Sequence, residues 1–148
     1  MLNWVIGVLI LLLLIPAALS IFSRFQQTET GLVSGRLRKC PDTPNCITSE
    51  DRNHPSFAEP VFLNTPPEVV WKKVDQTVRD MGGTIVMKSE TYLHAIFVSP
   101  LFRFVDDLEL RLDREEKTIH FRSSSRTGYS DMGVNRKRIE EFRQRISG

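Results

Sequence analysis

The longest pattern in the chain is an apolar stretch at its amino terminus. No charged side chain occurs from Leu2 to Phe22. A helix needs about 20 apolar residues to cross a bilayer, whereas the hydrophobic core of a signal peptide takes about 7–15. Residues 1–23 are therefore predicted to form a single-pass transmembrane anchor or an uncleaved signal, with the lipid bilayer as the partner of residues 2–22.

A short motif inside this stretch favours a different outcome. Ala18, Leu19 and Ser20 resemble the small-residue site at which signal peptides are cleaved. However, no lysine or arginine precedes the apolar stretch, as a signal peptide would require. Length and flanking charge together favour a retained anchor over a cleaved signal.

The pattern changes after the anchor. Residues 24–39 are mostly polar and show no apolar period, which is typical of a linker. Residues 40–148 are long enough for one domain with one core. Within them, residues 61–63 are typical of a short strand, and a helix is expected to follow. Its predicted features are an N-cap at Thr65, a proline at 66, a capping-box glutamate at 68 and an apolar face formed by Val70, Val74, Val78 and Met81.

Alternating apolar and polar positions then predict four strands, at residues 84–88, 92–98, 104–112 and 117–125. Ile139, Phe142 and Ile146 predict a helix over residues 135–146. The order β-α-β-β-β-β-α predicts an α+β fold, a twisted antiparallel β-sheet with helices on one face, preceded by one N-terminal transmembrane helix. A helix-grip-like ligand cup also fits this order.

The last two strands allow a prediction of register. If residues 113–116 form the turn, Leu112 faces Lys117 and Leu108 faces Phe121. The same register places Asp107 opposite Arg122 and Asp106 opposite Ser123. Polar groups would then gather at the end of the hairpin away from its turn. Asp106 and Asp107 point to opposite faces, so they cannot act on one substrate as a carboxylate pair.

The distribution of charge bears on possible partners and on the side of the membrane. Twenty basic and eighteen acidic side chains give a formal net charge of +2, so no global field favours nucleic acid as a partner. The basic residues Arg24, Arg36, Arg38 and Lys39 follow the anchor, and the positive-inside rule alone would place the domain in the cytoplasm. The cysteines favour the opposite, extracytoplasmic side, which is the localisation expected here.

Cys40 and Cys46 are the only cysteines, and two prolines and an Asn/Asp pair between them favour a bend that brings the thiols together. A disulfide loop is the favoured interpretation. Free thiols, or a metal or redox role, stay open as alternatives. The metal alternative lacks ligands, because the pair supplies two and His54 a third. No metal and no cofactor is therefore predicted.

The densest polar segment runs from Arg122 to Arg136. Hydroxyls, guanidinium groups and two glycines before a helix are the components of an anion site, although no P-loop spacing is present. The same side chains also fit an internal ion-pair network that fastens the last helix to the sheet. The candidate ligand-binding residues are Arg122, Ser123, Ser125, Arg126, Gly128, Ser130, Asp131, Asn135 and Arg136, with Asp106 and Asp107 in support.

No catalytic residue is predicted. His54, His94 and His120 are the available bases, and none adjoins a serine in a recognised nucleophile motif. The favoured function is a non-enzymatic, membrane-anchored module that binds an anionic small molecule, a lipid headgroup or a partner carboxylate. The alternatives are a hydrolase-like enzyme using Asp106 or Asp131, and a membrane-tethered scaffold or interaction protein.

Several motifs in the same order resemble the domain of unknown function 1499 family. They are Cys-Pro-Asp-Thr-Pro-Asn-Cys, the Asp106-Asp107 pair, and the Arg-Ser-x-Ser-Arg-x-Gly-x-Ser-Asp-x-Gly-x-Asn-Arg segment from Arg122. The resemblance covers about residues 40–146 and implies a shared domain whose biochemical role is unassigned. The signature positions that it implies are Cys40, Asn45, Cys46, Asp106, Asp107, Arg122, Ser123, Ser125, Arg126, Gly128, Ser130, Asp131, Gly133, Asn135, Arg136 and Arg138.

Overall fold

The computed structural model describes residues 2–26 and 28–147, so the parts of the predicted ranges that fall on Met1, Gln27 and Gly148 lie outside it. The helices are α1 (Leu2–Phe25), α2 (Pro67–Asp80) and α3 (Val134–Ser147). The strands are β1 (Leu32–Val33), β2 (Arg36–Leu37), β3 (Cys46–Thr48), β4 (Val61–Phe62), β5 (Thr84–Lys88), β6 (Tyr92–Val98), β7 (Val105–Asp113) and β8 (Thr118–Ser125).

The main sheet confirms the predicted α+β fold. Its strands pair antiparallel in the order β3-β8-β7-β6-β5, and β4 also pairs with β8. Helices α2 and α3 cover one face, where they enclose an apolar core. The largest fully buried apolar side chains of that core include Leu93, Leu108, Leu110, Phe121 and Phe142.

The start of α2 differs from the expected capping box. The N-cap is Pro66, with φ −53° and ψ 130°, and no side chain accepts a capping hydrogen bond. Pro66 and Pro67 fix the backbone φ angle at the helix start. The helix therefore begins one residue later than a cap at Thr65 would require. At the other end, a Cβ on Gly83 would lie 2.7 Å from Val78 Cγ1, so glycine permits the tight return into β5.

The predicted register of β7 and β8 is wrong by two residues. Leu112 pairs with Ile119 and Glu109 pairs with Arg122, whereas Leu112 was expected opposite Lys117 and Asp107 opposite Arg122. The turn lies one residue later than predicted, at 114–117. Asp113 Oδ1 accepts the backbone N–H groups of residues 115 and 116, and Lys117 adopts a positive φ of 51°. A shift of two preserves which face each side chain occupies, so the apolar pattern could not detect it.

The segment predicted as a linker contains regular structure. Strands β1 and β2 form a short hairpin within residues 24–39, and Leu37 is buried. This segment lies over the face of the sheet opposite α2 and α3, since Thr28 contacts Asp107 and the Gly31 N–H contacts Glu109. Both faces of the sheet are therefore covered.

Helix α1 is long and apolar enough to cross a membrane over Trp4–Phe25, and most of it is exposed. Its last turns contact the domain, because Ser20 and Ser23 are buried. Ser23 Oγ accepts a hydrogen bond from the Val105 N–H at 2.9 Å. The helix thus joins the domain at the first residue of β7.

Candidate functional site

Ionic side chains occupy the face of the sheet beneath the β1–β2 hairpin. Asp107 is fully buried and accepts two hydrogen bonds from Arg126, at 2.9 and 2.8 Å. His94 Nε2 lies 2.8 Å from the same carboxylate, and the Thr28 hydroxyl donates to it. Burial raises the pKa of Asp107, but these three partners outweigh burial and hold the pKa well below its usual range. Asp107 is therefore an ionised anchor with no open oxygen.

Glu109 is the second buried carboxylate on this face. Arg122 Nη1 donates to it at 2.8 Å, the Tyr92 hydroxyl at 2.7 Å and the Gly31 N–H at 2.6 Å. Burial and the nearby Glu109 carboxylate raise the pKa of Tyr92, so its hydroxyl stays protonated as a donor. The hairpin backbone thus becomes part of the charge network.

A third cluster continues the same face toward the β7–β8 turn. Arg111 donates to Glu50 at 2.7 Å and to Asp113 at 3.1 Å. Burial lowers the pKa of Arg111, but the two carboxylates outweigh burial and raise it. We call these three clusters the hairpin-side network, defined by Glu50, Asp107, Glu109, Arg111, Arg122 and Arg126.

A different polar group lies on the helix-covered face. Arg138 donates to Asp106 at 2.6 Å and to Ser123 at 3.0 Å, and its guanidinium lies 4.4 Å from the Phe97 ring centre. Ser123 donates to Asn135 Oδ1 at 2.6 Å, while Asn135 Nδ2 donates to Ser125 at 3.0 Å. These contacts fasten α3 to the sheet. We call this group the helix-side network.

Asp131 caps the start of α3. Its two oxygens accept the N–H groups of Gly133 and Asn135, at 3.0 and 2.7 Å, and also the Asn135 side chain. Asn45, beside the disulfide loop, donates to the Gly128 carbonyl. Asp131 is therefore a capping residue in this structure.

Two of the clefts formed by the described residues involve the candidate site. The larger, with a volume of about 890 Å³, lies between the β1–β2 hairpin and residues 48–51, and we call it the hairpin cleft. The smaller, of about 300 Å³, lies at the start of α3, and we call it the helix cleft. Arg122 lines the hairpin cleft, whereas Ser130, Asp131, Asn135 and Arg136 line the helix cleft.

Two residues that line the hairpin cleft carry buried polar atoms without a hydrogen bond. Arg122 is 6% exposed, and its Nε–H has no hydrogen-bond partner among residues 2–26 and 28–147. Glu50 Oε2 is likewise without a hydrogen bond within that part of the chain, although Arg36 lies 3.5 Å away as an ion-pair partner. Buried polar atoms are nearly always hydrogen-bonded, so an unpaired donor and acceptor beside a cleft indicate a place for a ligand or water.

Residues 36–146 match the family described as "Protein of unknown function (DUF1499)". The chain belongs to the DUF1499 family. Neither a curated protein nor a solved structure matches it. Family membership therefore defines the domain without assigning it a reaction.

The predicted site residues on β8 separate by the face of the sheet toward which they point. On β8, Arg122 points toward the hairpin while Ser123 and Ser125 point toward α3, because alternate residues of a strand face opposite sides. The pairing expected for an internal network was wrong in detail. Asp107 binds Arg126 rather than Arg122, and Asp106 binds Arg138. Arg122 and Arg126 thus belong to the hairpin-side network, and Ser123, Ser125 and Asn135 to the helix-side network. Ser130, Asp131 and Arg136 line the helix cleft instead.

The predicted disulfide is present. Cys40 and Cys46 are bonded, with their Cα atoms 5.8 Å apart. Cys40 also lines the hairpin cleft, together with Pro41. The bond therefore links the segment that follows the hairpin to the first strand of the main sheet.

Sequence reasoning missed Glu109 and Glu50 as site residues, along with Tyr92. The signal was available, since Glu109 and Arg111 alternate on one face of β7, but such residues are normally solvent-exposed. A loose triad of Asp113, Glu116 and His120 was also not predicted, and its ligand atoms lie within 4.8 Å of one another. Asp113 already accepts backbone N–H groups and Arg111, which opposes a cation there.

Proposed function

We propose that this DUF1499 chain is a membrane-anchored, non-enzymatic module that binds an amphipathic molecule with an anionic group in the hairpin cleft. The observation that carries the proposal is the buried Nε–H of Arg122, which faces no acceptor within the described residues. The Arg122 guanidinium donates from Nη1 to Glu109. Its Nε–H could then donate to a carboxylate or phosphate.

The lining of the cleft refines the ligand chemistry. Val33, Leu37 and Pro41 contribute apolar surface, which suits a hydrocarbon body. Glu50 Oε2 lies in the same lining as an acceptor without a hydrogen bond. A carboxylate or phosphate beside a hydroxyl would satisfy both Arg122 and Glu50, whereas a bare anion would satisfy only the first.

Membrane anchorage is supported by α1. Its length and apolarity suit a bilayer span, and its last turns are part of the domain's packing. Cleavage after Ser20 would remove one buried serine and leave Ser23 near a new, charged amino terminus. Retention keeps Ser20 buried and keeps Ser23 within a helical turn, where its Oγ accepts the Val105 N–H. The disulfide favours an extracytoplasmic domain.

A hydrolase using Asp106 or Asp131 fits the structure less well. Asp106 is buried in an ion pair with Arg138. Asp131 accepts three hydrogen bonds at the start of α3. Neither carboxylate is placed to accept a proton from a substrate, because both are committed to internal donors.

Thermal-shift and calorimetric titration of the full chain in neutral detergent test the binding proposal. The probes are octanoate, 2-hydroxyoctanoate and octylamine, which share a tail and differ in the polar head. We expect binding in the order 2-hydroxyoctanoate, octanoate, octylamine, because only the first offers both an anion and a donor. Absence of any response to the two carboxylates would contradict the proposal.

The matched variants are Arg122→Lys and Arg136→Lys. Both keep the charge, but only the first removes the Nε–H from the hairpin cleft; Arg136 is exposed and lines the helix cleft. A charge-assisted hydrogen bond contributes about 1.5–3 kcal/mol, so Arg122→Lys should weaken carboxylate binding by about tenfold or more. Equal loss in Arg136→Lys would place the site elsewhere.

A further inference from the structure

One end of the main sheet is joined to α1. Ser23 Oγ accepts the N–H of Val105, the first residue of β7, and Ser20 is buried nearby on the same helix. A helix rises 1.5 Å per residue, so about 20 residues cross a hydrocarbon core of about 30 Å. Counted from Leu2, such a crossing ends near Ile21, less than one turn before Ser23. The start of β7 therefore lies close to the bilayer surface.

Strand pairing identifies what else lies at this end. Val98, the last residue of β6, pairs with Val105, and Ser125, the last residue of β8, pairs with Asp106. The loop from β6 to β7 (residues 99–104) and the loop from β8 to α3 (residues 126–133) therefore leave the sheet at the end where α1 docks. We call these two loops the membrane-proximal face.

Both loops carry exposed apolar side chains, although others are exposed on β4, α2 and β5. Leu101 is 78% exposed, Phe102 46%, Tyr129 73% and Met132 91%. By contrast, the turns at the opposite end of the sheet are polar throughout, with Ser-Glu-Thr at residues 89–91 and Arg-Glu-Glu-Lys at 114–117. The two ends of one sheet thus differ in the surface that their loops present.

Both loops are held in place by hydrogen bonds. The Ser99 N–H donates to the Phe104 carbonyl at 2.9 Å, and the Phe104 N–H donates to Ser99 Oγ at 2.9 Å. In the second loop, Asn45 Nδ2 donates to the Gly128 carbonyl. Backbone order of this kind lowers the conformational entropy lost when apolar tips enter an interface.

We propose that the membrane-proximal face rests in the bilayer interface, with Leu101, Phe102, Tyr129 and Met132 at the boundary between headgroups and acyl chains. The occupant is the same bilayer that α1 crosses, since the face is continuous with the end of that helix. Exposed Arg24, Arg103 and Arg136 supply cations for lipid phosphates. The inference rests on the proposed membrane anchorage, and it fixes how the domain stands on the membrane.

Spin-label accessibility measures the depth of each position. The full chain is placed in phosphatidylcholine/phosphatidylglycerol nanodiscs with a nitroxide at Leu101→Cys or Met132→Cys; the native cysteines are bonded to each other and leave the label specific. Glu115→Cys in the opposite turn is the matched aqueous control. We expect labels at 101 and 132 to be at least threefold more accessible to oxygen, relative to a nickel chelate, than the label at 115.

A fourth label at Ile10→Cys separates this inference from the anchorage on which it rests. If the label at 10 is in lipid and those at 101 and 132 match the one at 115, the face is aqueous and the inference is overturned, leaving the apolar loops to a protein partner. If the label at 10 is also aqueous, the anchorage itself fails. Lipid exposure at all of 10, 101 and 132 supports both.

Discussion

Strand β7 has two buried faces of opposite character. Leu108, Leu110 and Leu112 pack beneath α2 and α3, whereas Glu109 and Arg111 lie beneath the N-terminal hairpin. One face is closed by the apolar sides of two helices, and the other by a short segment that donates hydrogen bonds to carboxylates. Alternation along a strand therefore predicts which residues share a face of the sheet. The alternation does not predict which of the two faces is exposed to solvent.

The two faces also tolerate change differently. Apolar packing tolerates substitutions in proportion to the volume lost, at about 2–5 kcal/mol for leucine to alanine. A buried ion pair is nearly all-or-none, because removal of one partner leaves the other charged and unpaired. The hairpin face is therefore expected to be the more sensitive of the two to single substitutions.

The largest effect is expected for Glu109→Ala. The change removes the acceptor of Arg122, Tyr92 and the Gly31 N–H together, so the free energy of unfolding should fall by about 3–5 kcal/mol. Chemical unfolding of the full chain in detergent, followed by circular dichroism, measures it. Glu115→Ala in the exposed turn is the control and should change the free energy by less than about 0.5 kcal/mol. Equal values for the two variants would mean that the ionic face is not buried.

A double substitution sharpens the comparison. Apolar residues of similar volume often replace buried ion pairs without loss, so Glu109→Leu with Arg122→Met should recover about 2 kcal/mol or more relative to Glu109→Leu alone. The double-mutant cycle is measured by the same unfolding experiment. Additive losses would show that the two side chains do not interact in the folded chain.

The next prediction concerns acid. The pKa of Asp107 is lowered in the folded chain, so its stabilising contribution is fully present above the unfolded value of about 4 and is lost as the pH falls toward the folded value. For a buried, paired aspartate that contribution is on the order of 2–3 kcal/mol. Asp107→Asn should be less stable at pH 7 and should lose less stability between pH 5 and pH 2.

Unfolding curves at several pH values check this prediction. Asp42→Asn is the matched control, since Asp42 is exposed in the disulfide loop. Its acid profile should follow that of the unmodified chain. An unchanged acid profile in Asp107→Asn would contradict the low pKa assigned to this carboxyl group.

The smallest effect is expected at the start of α3. Asp131→Ala removes the acceptor of two backbone N–H groups, at a cost of about 0.5–2 kcal/mol. Thermal unfolding compared with Glu140→Ala, on the exposed surface of α3, measures the difference. A cost well below that range would show that Asp131 does not stabilise the start of α3, and would leave it available for ligand binding or catalysis.

Much of the fold could be predicted because periodicity depends on the side chains themselves. Helices α1, α2 and α3 and strands β5 to β8 follow from apolar spacing. The register of β7 and β8 could not be predicted, because Asp113 sets the turn through its own hydrogen bonds and a shift of two leaves the pattern intact. Strands β1 and β2 have two residues each, too short for any period.

The candidate site could be predicted only in part, because the sequence indicates which strand a residue belongs to but not which segment covers it. The predicted residues of β8 do lie near one end of the sheet, but the face toward which each side chain points separates Arg122 from Ser123 and Ser125. Glu109 was missed because its partners come from three separate segments: Gly31 in the hairpin, Tyr92 on β6 and Arg122 on β8. Contacts of that kind depend on which segment covers the face, and the polar composition of residues 24–39 gave no sign of this.

The most direct test of the account is the resonance of the Arg122 Nε–H group in the full chain. With ¹⁵N-arginine labelling, Arg122→Lys assigns that signal, and Arg126, whose Nε–H already donates to Asp107, is the internal control. The account predicts that 2-hydroxyoctanoate shifts the Arg122 signal and slows its exchange with water while the Arg126 signal stays fixed. An Arg122 signal that is already protected from water and does not respond to the carboxylate would contradict it.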